Sequence, residues 1–324
     1  MTIRSSYFVK RIISSIVTIF VIISFLFFLF HLIPGNPILI LYRNPALTQS
    51  QINVLYRQFG LNKPLWQQFF IYIGNTFTGN LGISFFYREP VSMVLFPALL
   101  NSLILLIPAT FLAIILGILT GVLAAWHRGK KIDFVTLGSA MAFYSMPAFW
   151  LGSIFITIAI STKALPVSGM YQLGVYNQNI LERMSDFLSH LILPLVTLTL
   201  VLYGQFTIVM RNSLIGVFSE DYIITARAKG ANTRRLIWKH AYPNALLPMI
   251  SIIGINLGIV VAGAVLTETV FSWPGIGFMV YQAIISRDYP LLQGAFLIIS
   301  ISVVVANLAA DLLYGYLDPR VRLR

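Results

Sequence analysis

Six long stretches of this sequence carry almost no charge, and they limit the possible folds more than any other feature. They cover roughly residues 12–33, 100–125, 135–160, 188–210, 246–270 and 291–314. A helix of about 20 apolar residues can cross the hydrocarbon core of a bilayer. The whole chain is 58% hydrophobic and only 10% charged, whereas soluble domains carry roughly 25% charged residues. We therefore expect an all-α integral membrane protein with six transmembrane helices, multi-pass in the cell membrane.

The first stretch follows Lys10 and Arg11, as the apolar region of a cleavable signal peptide would. Its apolar part runs from Ile12 to Leu32 and is followed by PGNP. It is longer than the usual region of about 7–15 residues, and no small-residue cleavage site follows. We interpret it as a retained membrane span.

The net charge of +12 could indicate a nucleic-acid partner, so the positions of the basic residues have to be considered. With the N-terminus inside, 15 of the 22 Lys and Arg residues fall on the cytoplasmic side and 7 on the outer side. This asymmetry follows the positive-inside rule and predicts that both termini are cytoplasmic. No soluble basic domain is present to bind nucleic acid, so the lipid bilayer is the expected environment and no nucleic-acid partner is expected.

The chain divides into an N-terminal tail with the first span (1–34), an outer-surface segment (35–99) and a core domain (100–324). The outer segment is too polar to cross the membrane. Its pattern predicts one amphipathic helix between Thr48 and Gly60, where Thr48 and Gln51 have capping-box spacing, and a second starting at Lys63-Pro64. These helices either cover the outer mouth of a pathway or are a surface feature without a role in gating.

Several polar residues interrupt the apolar spans, and each allows two interpretations. Pro147 removes a backbone donor and should kink the third span. Beside it, Ser145 and Tyr144 either line a path or bond to the freed carbonyls. Gln205 and Asn256 are candidates for the lining of a pathway, but they equally fit interhelical hydrogen bonds. The substrate-binding residues therefore remain unknown.

Ionisable residues within or near spans are functional candidates by default. Glu268 and Asp311 lie near span ends, which favours structural tethering over a proton or ion relay. His31 and His190 also lie near span ends. Without a supporting carboxylate or cysteine cluster they favour polar capping over a metal site, so we expect no metal site.

The loop between the fourth and fifth spans, residues 211–245, is strongly basic although apolar spans flank it. It reads as two short helices separated by Gly230, the first from about Asp221 and the second from about Thr233 to His240. Glycine permits a backbone turn that other residues resist. The basic residues of a generic loop would merely flank the membrane.

The loop resembles the EAA loop of ATP-binding-cassette importer permeases, in the form found in the dipeptide, oligopeptide and nickel permease family. The match rests on DYxxTARAKG at 221–230 and HAxxNAxxP at 240–248. The glutamate of the general motif is absent, since Ile224 stands there and Thr225 replaces the first alanine. Further blocks in the family's order are IPGNP, LNKPLWQQF, GNLGISF, LPVSG, HLILP, ETVFSWPGIG and DLLYGYLDPR.

The resemblance implies the six-helix type I importer permease fold and a coupling helix that docks on a cytoplasmic ATPase, with Tyr222 as a packed aromatic. The residues it assigns to coupling are Asp221, Tyr222, Thr225, Ala226, Arg227, Ala228, Lys229, Gly230, Ala231, His240 and Asn244. It also implies four partner subunits: a second homologous permease subunit, two cytoplasmic ATPase subunits and an extracytoplasmic substrate-binding protein. The cargo it implies is first a di- or oligopeptide, and alternatively an oligosaccharide or a nickel or other metal chelate.

Motifs that the sequence lacks also favour an importer in which ATP is bound by subunits other than this membrane chain. The sequence has no GxxxxGK[ST] phosphate loop, so we expect ATP and Mg to bind on the partner ATPase subunits and no cofactor in this chain. We find no HExxH and no nucleophile–base pair, and the zero cysteines exclude thiol catalysis. The chain is therefore expected to be non-catalytic. An ion-gradient-driven secondary transporter, the rival from another class, would need midplane charges or broken helix pairs that the sequence does not show.

Overall fold

The computed structural model describes residues 2–32, 62–172, 174, 179–261 and 265–317 of the chain. Within these residues the fold is helical, and no strand is present beyond one isolated bridge between Ile83 and Pro90. The helices are α1 (Thr2–Leu32), α2 (Leu65–Phe77), α3 (Val91–Trp126), α4 (Lys131–Ser145), α5 (Ala148–Thr162), α6 (Ile180–Phe218), α7 (Asp221–Ala228), α8 (Thr233–Arg235), α9 (Tyr242–Val261), α10 (Val265–Val270), α11 (Ile276–Ser286) and α12 (Tyr289–Leu317). A π-helical turn, Leu236–Ala241, joins α8 to α9.

Four of these helices, α1, α3, α6 and α12, are long and apolar enough to cross a membrane by themselves, and α4 with α5 forms a bent pair that passes together. They coincide with five of the six predicted spans. The predicted fifth span falls on α9 and α10, on either side of residues 262–264, which lie outside the described part. The membrane-spanning all-α class is thus confirmed, while the count of six spans stays a prediction.

The centre of the fold is the pair α3 and α6, which run parallel with their backbones close together. Two glycines of α3, Gly117 and Gly121, face α6, and a Cβ atom on Gly121 would lie 2.8 Å from the carbonyl oxygen of Thr207. A Cβ on Gly117 would collide with the Cβ of Phe206. Small residues four apart permit this closeness, which maximises van der Waals contact between helices in lipid. Thr120 and Thr207 add a hydroxyl contact of 2.8 Å across the same interface.

The predicted kink at Pro147 is confirmed, and the bend there divides the span into two separate helices. The helix ends before Pro147, which lacks the amide that would continue α4, and the chain turns by 100° between α4 and α5. Gly204 of α6 lets α4 cross closely, since a Cβ there would meet the carbonyl of Ala140. Ser145 and Tyr144 are both exposed. Neither side chain makes a hydrogen bond to another residue of the described part.

The helix α1 lies at the edge of the fold, antiparallel to α12. Near one end Arg11 and Asp311 form an ion pair of 3.1 Å, and further along Ile23 and Leu26 pack on Leu297. This ion pair ties α12 to α1, so Asp311 has the structural role that its position near a span end favoured.

The helix α2 packs on the far end of α1. The ring of Phe27 contacts that of Phe69 at 5.2 Å, and His31 bonds to Gln68 at 3.2 Å. The opposite face of α2 exposes Trp66, Phe70 and other large apolar side chains. The second amphipathic helix of the outer segment is therefore confirmed, whereas the one predicted from Thr48 to Gly60 lies outside the described residues.

A sharp reversal joins α10 to α11 and is built on the side chain of Glu268. One carboxylate oxygen accepts a hydrogen bond from Ser102 at 2.7 Å, and the other accepts from the amides of Gly277 at 2.8 Å and Phe278 at 3.2 Å. These two amides lie in the first turn of α11, where helix donors lack intrahelical partners. The carboxylate is fully buried, so Glu268 acts as a tether between α3, α10 and α11.

Close approach explains the glycines of the sequence WPGIG in this reversal. A Cβ on Gly275 would collide with the carboxylate of Glu268 and lie 2.5 Å from the Ser102 hydroxyl. The ring of Trp273 is also fully buried and donates to the carbonyl of Asn101 at 2.9 Å. The side chain of Asn101 donates in turn to Pro274. Two adjacent residues of α3 therefore fix both ends of the reversal.

Candidate functional site

The basic loop folds as two helical pieces around a glycine, as its sequence predicts. The helix α7 (Asp221–Ala228) is followed by Gly230, whose φ of +80° lies in the left-handed region. Asn232 then caps the next helix by accepting a hydrogen bond from the amide of Arg235 at 2.9 Å. The second piece does not stop at His240. It continues through the π-helical turn into α9, so the loop and the following span form one uninterrupted helical path.

The inward face of the loop is apolar and anchors it to the main helix pair. Ile223 is 1% exposed and Leu236 is 2% exposed. Both belong to a buried cluster that includes Met210 and Leu214 of α6 and Val122 of α3. Burying a side chain of this size contributes about 1.5–3 kcal/mol relative to leaving it exposed. The loop is therefore a packed extension of the membrane helices.

The outward face combines apolar side chains with basic ones. Tyr222, Ile224 and Trp238 are 42%, 57% and 45% exposed, and the ring of Trp238 lies 5.0 Å from that of Tyr242. Partial burial raises the pKa of the Tyr222 hydroxyl, and the charge of nearby Glu220 raises it further, while a hydrogen bond from Asn244 opposes the rise. An exposed apolar patch with a charged rim is typical of a protein-docking surface.

Most residues assigned to coupling lie on this outward face. The exposed ones are Asp221, Tyr222, Thr225, Arg227, Ala228, Lys229, Gly230 and Asn244, and the half-buried ones are Ala226, Ala231 and His240. Ala226 packs against the buried cluster beneath the loop. The structure thus brings the two halves of the motif together, and Asn244, in the second half, reaches Tyr222 in the first.

Reasoning from the sequence missed the residues that hold the loop in place. Ile223, Leu236 and Ile237 are buried beneath it, and the assigned set contains none of them. Their signal was available, because they are apolar residues in an otherwise polar segment. Tyr222, the aromatic of the motif, points outward, whereas its neighbour Ile223 is the inward anchor.

A second polar contact helps to position the helices next to the loop. Arg211 of α6 binds Asp133 of α4 with two nitrogens, at 2.7 and 2.8 Å, and the amide of Gly129 donates to the same carboxylate at 2.9 Å. Two parallel bonds between guanidinium and carboxylate are a strong, geometrically specific arrangement. They fix the turn between α3 and α4 against the end of α6 from which the loop departs.

The structure bears on the two interpretations of the candidate pathway residues Gln205 and Asn256. Asn256 of α9 donates to the carbonyl of Ile252 at 2.9 Å and lies 3.4 Å from the side-chain oxygen of Gln205 on α6. These contacts fit the interhelical alternative. In the described residues the hydroxyls of Thr110 and Thr267 are buried without a hydrogen-bond partner. Neither was singled out from the sequence.

The two histidines considered for metal binding each make a hydrogen bond within their own helix. The ring of His31 bonds to the carbonyl of Phe27 at 2.8 Å, and that of His190 bonds to the carbonyl of Asp186 at 2.8 Å. No group of three potential metal ligands occurs among residues 2–32, 62–172, 174, 179–261 and 265–317. The contact of His31 lies in the last turn of α1 and is of the capping type, whereas His190 lies inside α6 and also approaches the carboxylate of Asp186 at 3.4 Å.

Two family models match most of the chain. Residues 117–323 match the binding-protein-dependent transport system inner membrane component. Residues 4–99 match the N-terminal part of the membrane component of the same transport systems.

Individual proteins agree with the family models. The dipeptide transport system permease protein DppB of Escherichia coli K12 is 37% identical over 333 residues, with 97% of this chain and 98% of the relative covered. The di/tripeptide transport system permease protein DppB of Pseudomonas aeruginosa is 37% identical, with 98% of both chains covered. The glutathione transport system permease protein GsiC of an Escherichia coli O6:H1 strain is 32% identical, with 98% of this chain and 99% of the relative covered.

A solved structure supports the fold. A chain of the MetNI methionine ABC transporter, in an inward-facing conformation, superposes with a TM-score of 0.56 at 18% identity, over 68% of this chain and 95% of that chain. At this identity the likeness shows the fold alone, and it confirms the predicted type I importer permease fold. The protein therefore belongs to the family of inner membrane components of binding-protein-dependent transport systems, as an ABC transporter permease similar to DppB.

Proposed function

We propose that this chain forms half of the translocation path of an ATP-driven importer that takes up di- or oligopeptides. The observation that carries the proposal is the loop at 221–244, which presents an apolar and basic docking face and whose second piece continues without a break into α9. A cytoplasmic motor bound to this face can move a membrane helix directly. The names of several similar permeases support peptides as the cargo.

The proposed assembly contains five chains. A second, homologous permease subunit completes the path, and two cytoplasmic ATPase subunits bind ATP and Mg and carry out hydrolysis. An extracytoplasmic binding protein delivers the cargo. This chain is then a non-catalytic subunit with both termini in the cytoplasm. Arg128 and Arg227 line one cavity, so two of the basic segments lie at one end of the molecule, as the positive-inside rule requires.

The test is to purify this chain together with its partner subunits in nanodiscs and to measure ATP hydrolysis and uptake. We expect hydrolysis to rise several-fold when peptide-loaded binding protein is added, with little change for empty binding protein. Oligosaccharides and nickel chelates serve as the competing cargos, and stimulation by one of them would replace the peptide assignment. Uptake that proceeds under an ion gradient without ATP would contradict the importer itself.

Substitutions in the docking loop, residues 221–244, are expected to uncouple ATP hydrolysis from transport. In Gly230→Val the left-handed φ of +80° becomes strained although no atom lies within 4 Å of the added Cβ; left-handed backbone costs about 1–2 kcal/mol for residues with a Cβ. In Ala226→Phe the added ring has to displace the buried cluster. We expect each variant to lose transport by roughly tenfold or more, through uncoupled hydrolysis or failed assembly, since about 1.4 kcal/mol corresponds to one factor of ten.

Gly79→Val is the matched control. Gly79 has a similar φ of +76° and open space around it, but lies in the outer segment. Its backbone strain is the same, and ATP hydrolysis should stay coupled to uptake. Normal uptake with Gly230→Val or Ala226→Phe would refute the assignment of this loop to coupling.

A further inference from the structure

A cavity of about 230 Å³ lies where the ends of α3 and α6 meet α7. Its lining residues are Ala125, Trp126, Arg128, Ile215, Phe218 and Arg227. The indole of Trp126 and the ring of Phe218 meet edge to face, with their centroids 5.9 Å apart. The cavity therefore combines an apolar, aromatic wall with two guanidinium groups.

The two guanidinium groups have charge available for a ligand. The nearby carboxylate of Asp133 is bound by Arg211 and by the amide of Gly129, and it interacts with Arg128 only through space. Within the described part of the chain, neither Arg128 nor Arg227 forms an ion pair. Both side chains are exposed, and they come from different segments, one from the α3–α4 turn and one from α7. An anion between them would be held by both segments.

The side of the molecule that leads to the cavity is apolar. Leu116, Leu119 and Leu123 of α3 are 39%, 52% and 43% exposed, and with Trp126 they lie on one helix face at spacings of three, four and three residues. Trp126 is the last residue of the membrane-spanning helix α3. Tryptophan is enriched at this level of a membrane, where its ring meets the headgroups. An acyl chain can follow the leucines while its headgroup reaches the two arginines.

We propose that this cavity binds the phosphate of an anionic phospholipid of the cytoplasmic leaflet. Arginine is suited to the task because its planar fork donates two parallel hydrogen bonds to phosphate. The lipid would contact α3, α6 and α7 together, so the position of the loop at 221–244 depends on anionic lipid. Arg227, which the resemblance assigns to coupling, would then bind the lipid in place of an ATPase carboxylate. The inference rests on the membrane orientation of the proposed function but requires neither the cargo nor the transport activity.

The experiment is native mass spectrometry of the purified complex with its partner subunits, titrated with phosphatidylglycerol and, separately, with phosphatidylcholine. We expect preferential retention of phosphatidylglycerol by the wild-type complex. Arg128→Gln should weaken that retention roughly tenfold, because glutamine lacks both the charge and the pair of parallel donors that the guanidinium offers to phosphate. Arg128→Lys, which keeps the positive charge, should restore part of it. Folding is checked by the yield of intact complex, which requires no lipid readout.

Lys130→Gln is the matched control, since it removes an exposed cation from the same turn but not from the cavity lining. It should retain phosphatidylglycerol as the wild type does. Equal retention by Arg128→Gln, or equal retention of the two lipids by the wild type, would overturn the proposal.

Two further arms distinguish other anions. Displacement of the bound lipid by millimolar inorganic phosphate would assign the site to a free anion. Phosphatidylglycerol that binds the permease pair but is lost when the ATPase subunits assemble would assign the arginines to carboxylates of the ATPase. Either outcome contradicts a resident lipid, and neither affects the proposed transport function.

Discussion

Replacing Gly117 by alanine is expected to separate the α3–α6 pair and to remove most of the folded protein from the membrane. The added Cβ would lie 3.0 Å from both the amide nitrogen of Thr207 and the carbonyl oxygen of Tyr203, and closer still to Phe206. Two of these atoms belong to the backbone, which cannot rotate away. Overpacking typically costs about 1–3 kcal/mol, and we expect the upper end of that range. The measurement is the yield and melting temperature of purified protein.

The same reasoning applies to Gly121, and a third helical glycine provides the control. Gly138 of α4 has open space where a methyl group would be added, with no atom within 4 Å. Gly138→Ala should therefore leave the melting temperature unchanged or raise it, because alanine is favoured over glycine in helices by about 1 kcal/mol. Opposite signs at Gly117 and Gly138 test the close approach itself. Similar melting temperatures for both variants would show that α3 and α6 do not approach each other this closely.

Replacing Glu268 by alanine is expected to release the reversal between α10 and α11 from α3. The change leaves the Ser102 hydroxyl and the amides of Gly277 and Phe278 without their acceptor in a buried site. Each unsatisfied buried donor costs about 1–3 kcal/mol, so the combined loss is several kcal/mol. We expect a clear fall in melting temperature and protease cleavage between residues 268 and 278.

Two variants define the role of this carboxylate. Glu268→Gln keeps an oxygen acceptor of similar shape and should lose less stability than Glu268→Ala. Glu89→Ala removes an exposed carboxylate and should change little. A Glu268→Ala protein that is stable but does not transport would favour the relay interpretation over the tether.

The sequence predicted the helical class, the positions of most spans and the loop, because each depends on local pattern. Apolar runs of about twenty residues and a glycine between two short helices are visible without a structure. The full length of α6 was missed, although Asn179 and Glu182 form a capping box at its start. The predicted span began at residue 188, since hydropathy registers the apolar centre of a helix and not its polar first turns.

The contacts that hold the helices together could not be predicted, because they join residues far apart in the chain. The hydrogen bond between Ser102 and Glu268 crosses 166 positions. The closeness of Gly121 to Thr207 depends on how two helices align, which neither sequence segment determines alone. The break at Pro147 was expected, but its size of 100° was not. Proline removes one backbone bond, and the surrounding packing decides how far the chain turns.

In the proposed assembly, the continuous helical path from Thr233 to Val261 would carry a displacement of the docked loop into the membrane. At about 1.5 Å per residue it spans roughly 40 Å, so a tilt of about 5° at one end displaces the other by roughly 3–4 Å. Two features interrupt the regular α-helical hydrogen bonding along this path, the π-helical turn at Leu236–Ala241 and Pro248 inside α9. A more rigid segment would pass on a larger share of the displacement, and a more flexible one would pass on a smaller share. In the proposed assembly, the share of a displacement of the docking face that reaches the membrane would therefore depend on residues 236–248.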